Sequence, residues 1–334
     1  MIVLLKFFGV ISLLISSQNC CYAQQNSFLN RLLSHKVYRP KPFRYSSLSL
    51  GIGSSHYLGD LSPVNPLKAL LTTVRWNVSL SYSYTLSKEL QIGANLSYLR
   101  LAGDDIHADN NLNYIRNLHF RNDIKQMSLF VQYHPVPYTT DFRKRPTFSP
   151  FVSAGISYFF HSPKAKLPKE LGQNWVALQP LHTEGQGINP IYPEPYTLSG
   201  MTVLLGMGIR YNYNKKIDFS LEVTYNFSFT DYLDDVSGVY ANSILFTDKT
   251  AAILSNRSRE PISAATNESR SERITSYLIQ QGLPIFEPFA STDPAFGAVG
   301  SNRGSKSGND AYLTTSIKIH YILPNGKIRC PKQR

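Results

Sequence analysis

Cysteine is nearly missing from this chain. It has three in 334 residues, and two of them, Cys20 and Cys21, fall in the N-terminal stretch. If that stretch is removed, Cys330 stands alone, free or paired between chains. That excludes an internal disulfide, a thiolate metal site and dithiol chemistry. Beyond the N-terminus there is no apolar run of about twenty residues, so no membrane-spanning helix is expected. Charge is also sparse, at 17% of residues, with 34 Lys and Arg against 22 Asp and Glu for a net charge of +12. Nucleic-acid binding calls for basic residues clustered on one element. Here they are scattered, and no nucleic-acid partner is expected.

The N-terminus sets an expectation of export. Met1 to Ser17, MIVLLKFFGVISLLISS, carries one lysine and then a short apolar core, followed by NCCYAQQ. Cys21 and Ala23 take the small-residue positions of a cleavage site, which predicts a secretory signal over 1–23 and Gln24 as the first mature residue. Cys20 as a lipid acceptor fits less well, because Ser17-Gln18-Asn19 lacks the usual leucine and small residues. Residues 24–44 read as a leader, with Phe28, Leu29, Leu32 and Leu33 at helical spacing before Pro40 and Pro42.

What the sequence does have is alternation. In VRWNVSLSYSYTL, Val74, Trp76, Val78, Leu80, Tyr82, Tyr84 and Leu86 share one face, and Arg75, Asn77, Ser79, Ser81, Ser83 and Thr85 share the other. A two-residue period places the sets on opposite sides of a strand. Seven further segments repeat the pattern, beginning near Ser47, Glu89, Lys125, Phe148, Gly200, Lys216 and Ala311. Tyrosines gather near their ends, as in the aromatic girdles of membrane barrels. A soluble β-sandwich also alternates, but the outward faces here are continuously apolar. The expected fold is all-β: an eight-stranded antiparallel transmembrane β-barrel over 45–323. Asp218, Glu222 and Lys318 lie on the polar faces, where a lumen can pair them.

The connections agree. Short links (Ser87-Lys88-Glu89; NKK at 214–216) and the intermediate PVPYTTDFRKRPT alternate with long ones, the longest over about 231–310. Outer-membrane barrels have short periplasmic turns and long extracellular loops. Outer-membrane placement is therefore expected, with membrane lipid around the barrel, both termini periplasmic and a basic tail over 324–334. The Ser-, Asn- and Arg-rich stretch within 231–310 reads as a mobile loop. Eight strands enclose an interior that side chains fill, so no diffusion pore is expected.

Several loop segments occur in a fixed order: SSHYLGDL (54–61), RNLHFRNDI (116–124), LQPLHTEGQG (178–187), TDYLDDVSGVY (230–240), NRGSKSGNDAY (302–312) and the terminal Cys330-Pro331. Together they resemble the PorG-like family of outer-membrane barrels of the type IX secretion system. The resemblance implies a non-enzymatic component that anchors a periplasmic ring of PorK and PorN type, with no cofactor and no small-molecule substrate. It implies a structural loop signature of Asp60, Arg116, Asn117, Thr183, Glu184, Gly185, Gln186, Gly187, Asp231, Tyr232, Asp234, Asp235, Arg303 and Gly304. Phe142, Arg143, Lys144 and Arg145 in a short turn, with Cys330, are candidate contacts to the periplasmic partner. The alternative reading is a barrel whose extracellular loops adhere to a surface or bind a ligand.

Two local patterns invite chemistry. Asp231, Asp234 and Asp235 are a weak Ca²⁺ candidate, since clustered carboxylates suit that ion, but the closing Glu of an EF-hand is missing. The competing reading pairs them with Arg116, Arg121 or Arg303 and starts the outer aromatic girdle at Tyr232. His182 and Glu184 resemble an acid–base pair, yet no nucleophile elbow accompanies them. No catalytic residue is assigned.

Overall fold

The computed structural model describes residues 44–136, 145–282, 297–305 and 308–324. The expected signal, the leader up to residue 43, the tail from 325, and Phe142, Arg143, Lys144 and Cys330 lie outside the described residues. Ten strands follow in chain order. They are β1 (Tyr45–Leu58), β2 (Arg75–Thr85), β3 (Leu90–Asp104), β4 (His119–Tyr133) and β5 (Phe148–Phe160). Then come β6 (Pro163–Lys166), β7 (Trp175–Ala177), β8 (Ser199–Asn212), β9 (Ile217–Ser228) and β10 (Ala311–Pro324). Eight of them close a ring in the order β3-β2-β1-β10-β9-β8-β5-β4, with β4 returning to β3. All the pairings are antiparallel. The two short strands form a flap: β6 pairs with β4 beside Arg121, and β7 with β6.

The period-two pattern sorts the side chains as the sequence predicts. Leu50, Ile52 and Leu129 are 65%, 68% and 60% exposed on the outside, whereas Ser49 and Ser81 inside are 4% exposed each. The outward rows form a continuous apolar belt, far larger than water tolerates on a monomer. Hydrocarbon is the solvent that suits it. The molecule is an eight-stranded antiparallel transmembrane β-barrel. Among the described residues no helix is long and apolar enough to cross a membrane, so the strands do the crossing.

The lumen is packed. Lys318 pairs with Glu222 at 2.6 Å, and Asp218 takes Arg145 at 2.8 Å rather than a partner on a neighbouring strand. Arg210 donates to Gln91 and Gln132. Gly53 lies so close to β10 that an added Cβ would sit 1.8 Å from the Thr315 carbonyl oxygen, which admits no side chain there. One cavity of about 60 Å³ lies inside, among Asn77, Ser79, Gln126 and Asn226.

The barrel has unlike ends. Tyr45 pairs with Pro324 at the end that carries the short turns. The other end carries the long connections, and their described parts are folded. Helix α1 (Pro66–Thr72) starts on Asn65, whose side chain accepts from the amides of Leu67 and Lys68. Helix α2 (Asn111–Arg116) packs Tyr114 and Ile115 on Ile274 and Leu278 of a later helix. The segment expected to be a mobile loop differs most from expectation. Its described part holds α3 (Lys249–Ser255) and α4 (Ser271–Gln280) and buries Arg257 and Arg270 at 2% and 1% exposure. The physical reason is that these arginines are spent on backbone carbonyls. Arg270 donates to the carbonyls of Tyr114 and Ile115 at the C-terminal end of α2, and Arg257 donates to Lys166 O.

Candidate functional site

The signature residues converge on the long-loop end. A turn of 3₁₀ helix at Gln179–Leu181 and positive φ at His182, Gly185 and Gly187 fold HTEGQG tightly and drive Glu184 inward. Its carboxylate accepts from the amides of Ser237 and Gly238 at 3.0 Å each and from Arg303 Nη1 at 3.0 Å. Gln186 Oε1 accepts from the amide of Glu184. Arg303 also donates to the carbonyls of Asp235 and Ser255. Asp235, held at φ 68°, accepts from the Thr183 and Tyr196 hydroxyls. Burial pushes the Asp235 carboxyl up to about 6 against the pull of Arg303.

A second knot ties the strand ends to TDYLDDVSGVY. The Tyr57 hydroxyl lies 2.6 Å from Asp234 Oδ2 and 2.6 Å from Asp310 Oδ1. The remaining oxygens accept backbone amides, Asp234 from Val236 and Asp310 from Leu233. A phenol has one proton to give, so both contacts can be hydrogen bonds only if one of the two carboxyls is itself protonated. Burial raises both well above the ordinary carboxylate range. The charge of Asp310 adds to this for Asp234, and that of Asp231 for Asp310.

Further signature residues staple this end together. Arg116 grips Asp105 through Nε and Nη2 at 2.8 and 2.7 Å and also donates to the carbonyls of Arg303 and Asp60. Asn117, at φ 61°, donates to the carbonyls of Arg257 and Ile262 and accepts from the amide of Ala264. Asp60 accepts from the amide of Ser305, and Gly304 fits where any Cβ would strike Asp60 and the Ser237 backbone. Beneath them lies an apolar core that includes Tyr57, Leu61, Leu101, Phe120, Phe159, Leu233 and Tyr312.

Several local expectations are corrected. Asp231, Asp234 and Asp235 do not gather round a common point, because Asp234 and Asp235 turn to different partners. Among the described residues no group of His, Cys, Asp and Glu is placed to hold a metal ion. Of the three arginines suggested for these aspartates, Arg303 meets Asp235, Arg116 meets Asp105, and Arg121 stacks on Trp175 at 4.2 Å. Tyr232 starts no girdle; it lies flat on Tyr196 with ring centroids 4.5 Å apart. Glu184 is spent on amides and Arg303 and is not left to pair with His182. Arg145 is turned into the barrel against Asp218 and so is not presented to a partner. Sequence reasoning missed Tyr57, Asp105, Tyr196 and Asp310; only the tyrosine-and-aspartate content of the flanking motifs hints at them.

Comparison with solved structures gives similarity to small barrels at low identity. Neisserial surface protein A is 9% identical, with 83% of this chain and 96% of that one covered and a TM-score of 0.36. Ail, the attachment invasion locus protein of Yersinia pestis, is 8% identical, with 84% and 98% covered and a TM-score of 0.31. The outer membrane protein OprG from Pseudomonas aeruginosa is 8% identical, with 85% and 99% covered and a TM-score of 0.33. No curated protein matches the sequence. Residues 38–170 match a family described as a domain of unknown function, DUF6089.

Proposed function

We propose that this barrel is a non-enzymatic outer-membrane component of type IX secretion. In this reading the long-loop end is outside the cell. The short turns and both termini face the periplasm, where they anchor a ring of PorK and PorN type. One observation carries the reading. The loop segments that resemble the PorG-like family meet in one sealed network, and their acids are spent on amides, arginines and hydroxyls. A centre so fully committed holds a shape and leaves no group poised for acid–base work. The packed lumen likewise offers no route for a solute. Machine contacts then fall to the other end, at exposed turn residues such as Lys88 and Lys215.

A second reading, adhesion through the outer loops, draws on Ile191 and Ile244, each 86% exposed on the long-loop end. One experiment separates the two. Photocrosslinkers placed at Lys88 or Lys215 in cells are expected to capture a periplasmic ring component, and crosslinkers at Ile191 or Ile244 are not. Capture only from the isoleucine positions would overturn the anchoring reading.

A further inference from the structure

Outside the sealed network, a cavity of about 390 Å³ opens on the flank of the barrel. Its back wall is the outward face of β2, β3 and β4 at the long-loop end, and its front is the β6–β7 flap. The outward row of β3 runs Ile92, Ala94, Leu96 and Tyr98, then continues with Arg100, Ala102 and Asp104. The outward row of β4 runs Val131, Leu129 and Met127, then changes to Lys125, Asp123, Arg121 and His119. The change falls at an aromatic pair, Trp76 edge-on to Tyr98 at 5.1 Å, with Arg100 5.4 Å above Trp76. Aromatic pairs of this kind mark the level of lipid headgroups. The cavity therefore begins where hydrocarbon ends.

Its walls carry Arg75, Arg100, Arg121 and Lys166 against one lining carboxylate, Asp104. Arg100 is committed to Asp123 at 2.6 Å, and Lys166 donates to the Ala265 carbonyl. Two donors remain. His119 is 4% exposed, and its Nε2 accepts from the amide of Lys166 at 2.9 Å, which puts the ring proton on Nδ1. That Nδ1 is buried without a partner, and so is Arg121 Nε. Buried donors without acceptors are costly, and here the residues that carry them line a cationic cavity. These cationic walls suit a group that accepts hydrogen bonds and carries negative charge, and the volume suits a body the size of a sugar rather than a bare ion.

We infer that this lateral cavity binds the phosphate-bearing sugar headgroup of a membrane glycolipid, with Arg121 and Arg75 meeting the phosphate. The opening at headgroup level assigns the lipid-borne source over a free sugar phosphate. Which leaflet supplies it rests on the proposed orientation; the phosphate preference does not.

The protein reports on this site itself, because its two tryptophans, Trp76 and Trp175, both line the cavity. Refolded protein in phosphatidylcholine vesicles is titrated with lipid A, or with the same glycolipid after its phosphates are removed, and tryptophan emission is read. Lipid A is expected to give a saturable change and the dephosphorylated form none. Arg121→Gln should weaken the response about tenfold, in line with loss of a charge-assisted hydrogen bond. Arg75→Gln, at an exposed side chain that donates to the neighbouring Val74 carbonyl, should weaken it while the melting temperature stays that of the parent. Lys215→Gln, at the opposite end, should change nothing. Equal responses to both glycolipids, or an unchanged response in Arg75→Gln and Arg121→Gln, would overturn the site. Full saturation by glucose 1-phosphate in vesicles without glycolipid would overturn the lipid source. These outcomes are independent of the crosslinking result.

Discussion

At the scale of single residues, the most consequential atom is a proton shared among Tyr57, Asp234 and Asp310. Both carboxyls titrate above their unfolded value of about 3.9. The contribution of the pair is therefore complete below about pH 4 and is lost as pH rises through the folded-state values. Asp235, raised to about 6, contributes in the same sense between about 4 and 6. Asp310→Asn reproduces the protonated form. Its amide can donate to the Tyr57 oxygen while its carbonyl accepts the Leu233 amide. This variant should melt like the parent near pH 5 and above it at pH 8. Tyr57→Phe leaves two buried carboxyls facing each other and should cost about 1–3 kcal/mol. Thermal melts of refolded protein across pH 4–9 test both, and a steeper loss with pH in Asp310→Asn would refute the shared proton. Little of this was legible beforehand. The motif marked the aspartates, but their partners lie 177 and 253 positions away, and a single sequence carries no signal for such pairs.

At the scale of elements, the strands were legible where lipid is the solvent and poorly legible elsewhere. Alternation predicted the strand now numbered β2 almost to the residue, because each side chain there answers to either hydrocarbon or lumen. The start of β4 was placed at Lys125, yet the strand begins at His119. Residues 119–124 read as a loop because their outward face has left the hydrocarbon and turned basic. The stretch within 231–310 misled for a related reason: composition cannot tell a solvated arginine from one that caps carbonyls. Asn117 holds that stretch through three hydrogen bonds to residues 257–264. Asn117→Ala should loosen it by about 2 kcal/mol, from two to three net hydrogen bonds lost. Trypsin should then cut faster at Arg257 and Arg259, with the barrel still resistant. Unchanged cleavage rates would mean that α3 and α4 are held by other contacts.

For the molecule as a whole, strand count and packing agree. Eight strands leave an interior that side chains can fill, and here Lys318, Glu222, Arg210 and Asp218 fill it in paired form. The cavity among Asn77, Ser79, Gln126 and Asn226 is about 60 Å³, and an apolar core closes the long-loop end. In planar bilayers the protein should show no steady open conductance. A stable porin-like current would contradict the packed lumen. The sequence indicated this closure through its small inward residues and its count of eight strands, whereas the folded loop end was beyond its reach.

Tyr57 stands on β1 and Asp310 immediately precedes β10, the first and last strands to be synthesised, which zip together to shut the cylinder. Their hydrogen bond thus straddles the seam. Asp310 can reach the Tyr57 hydroxyl only once the final strand has arrived, so the knot works as a latch that registers completion. An unfinished cylinder would carry an unlatched lid.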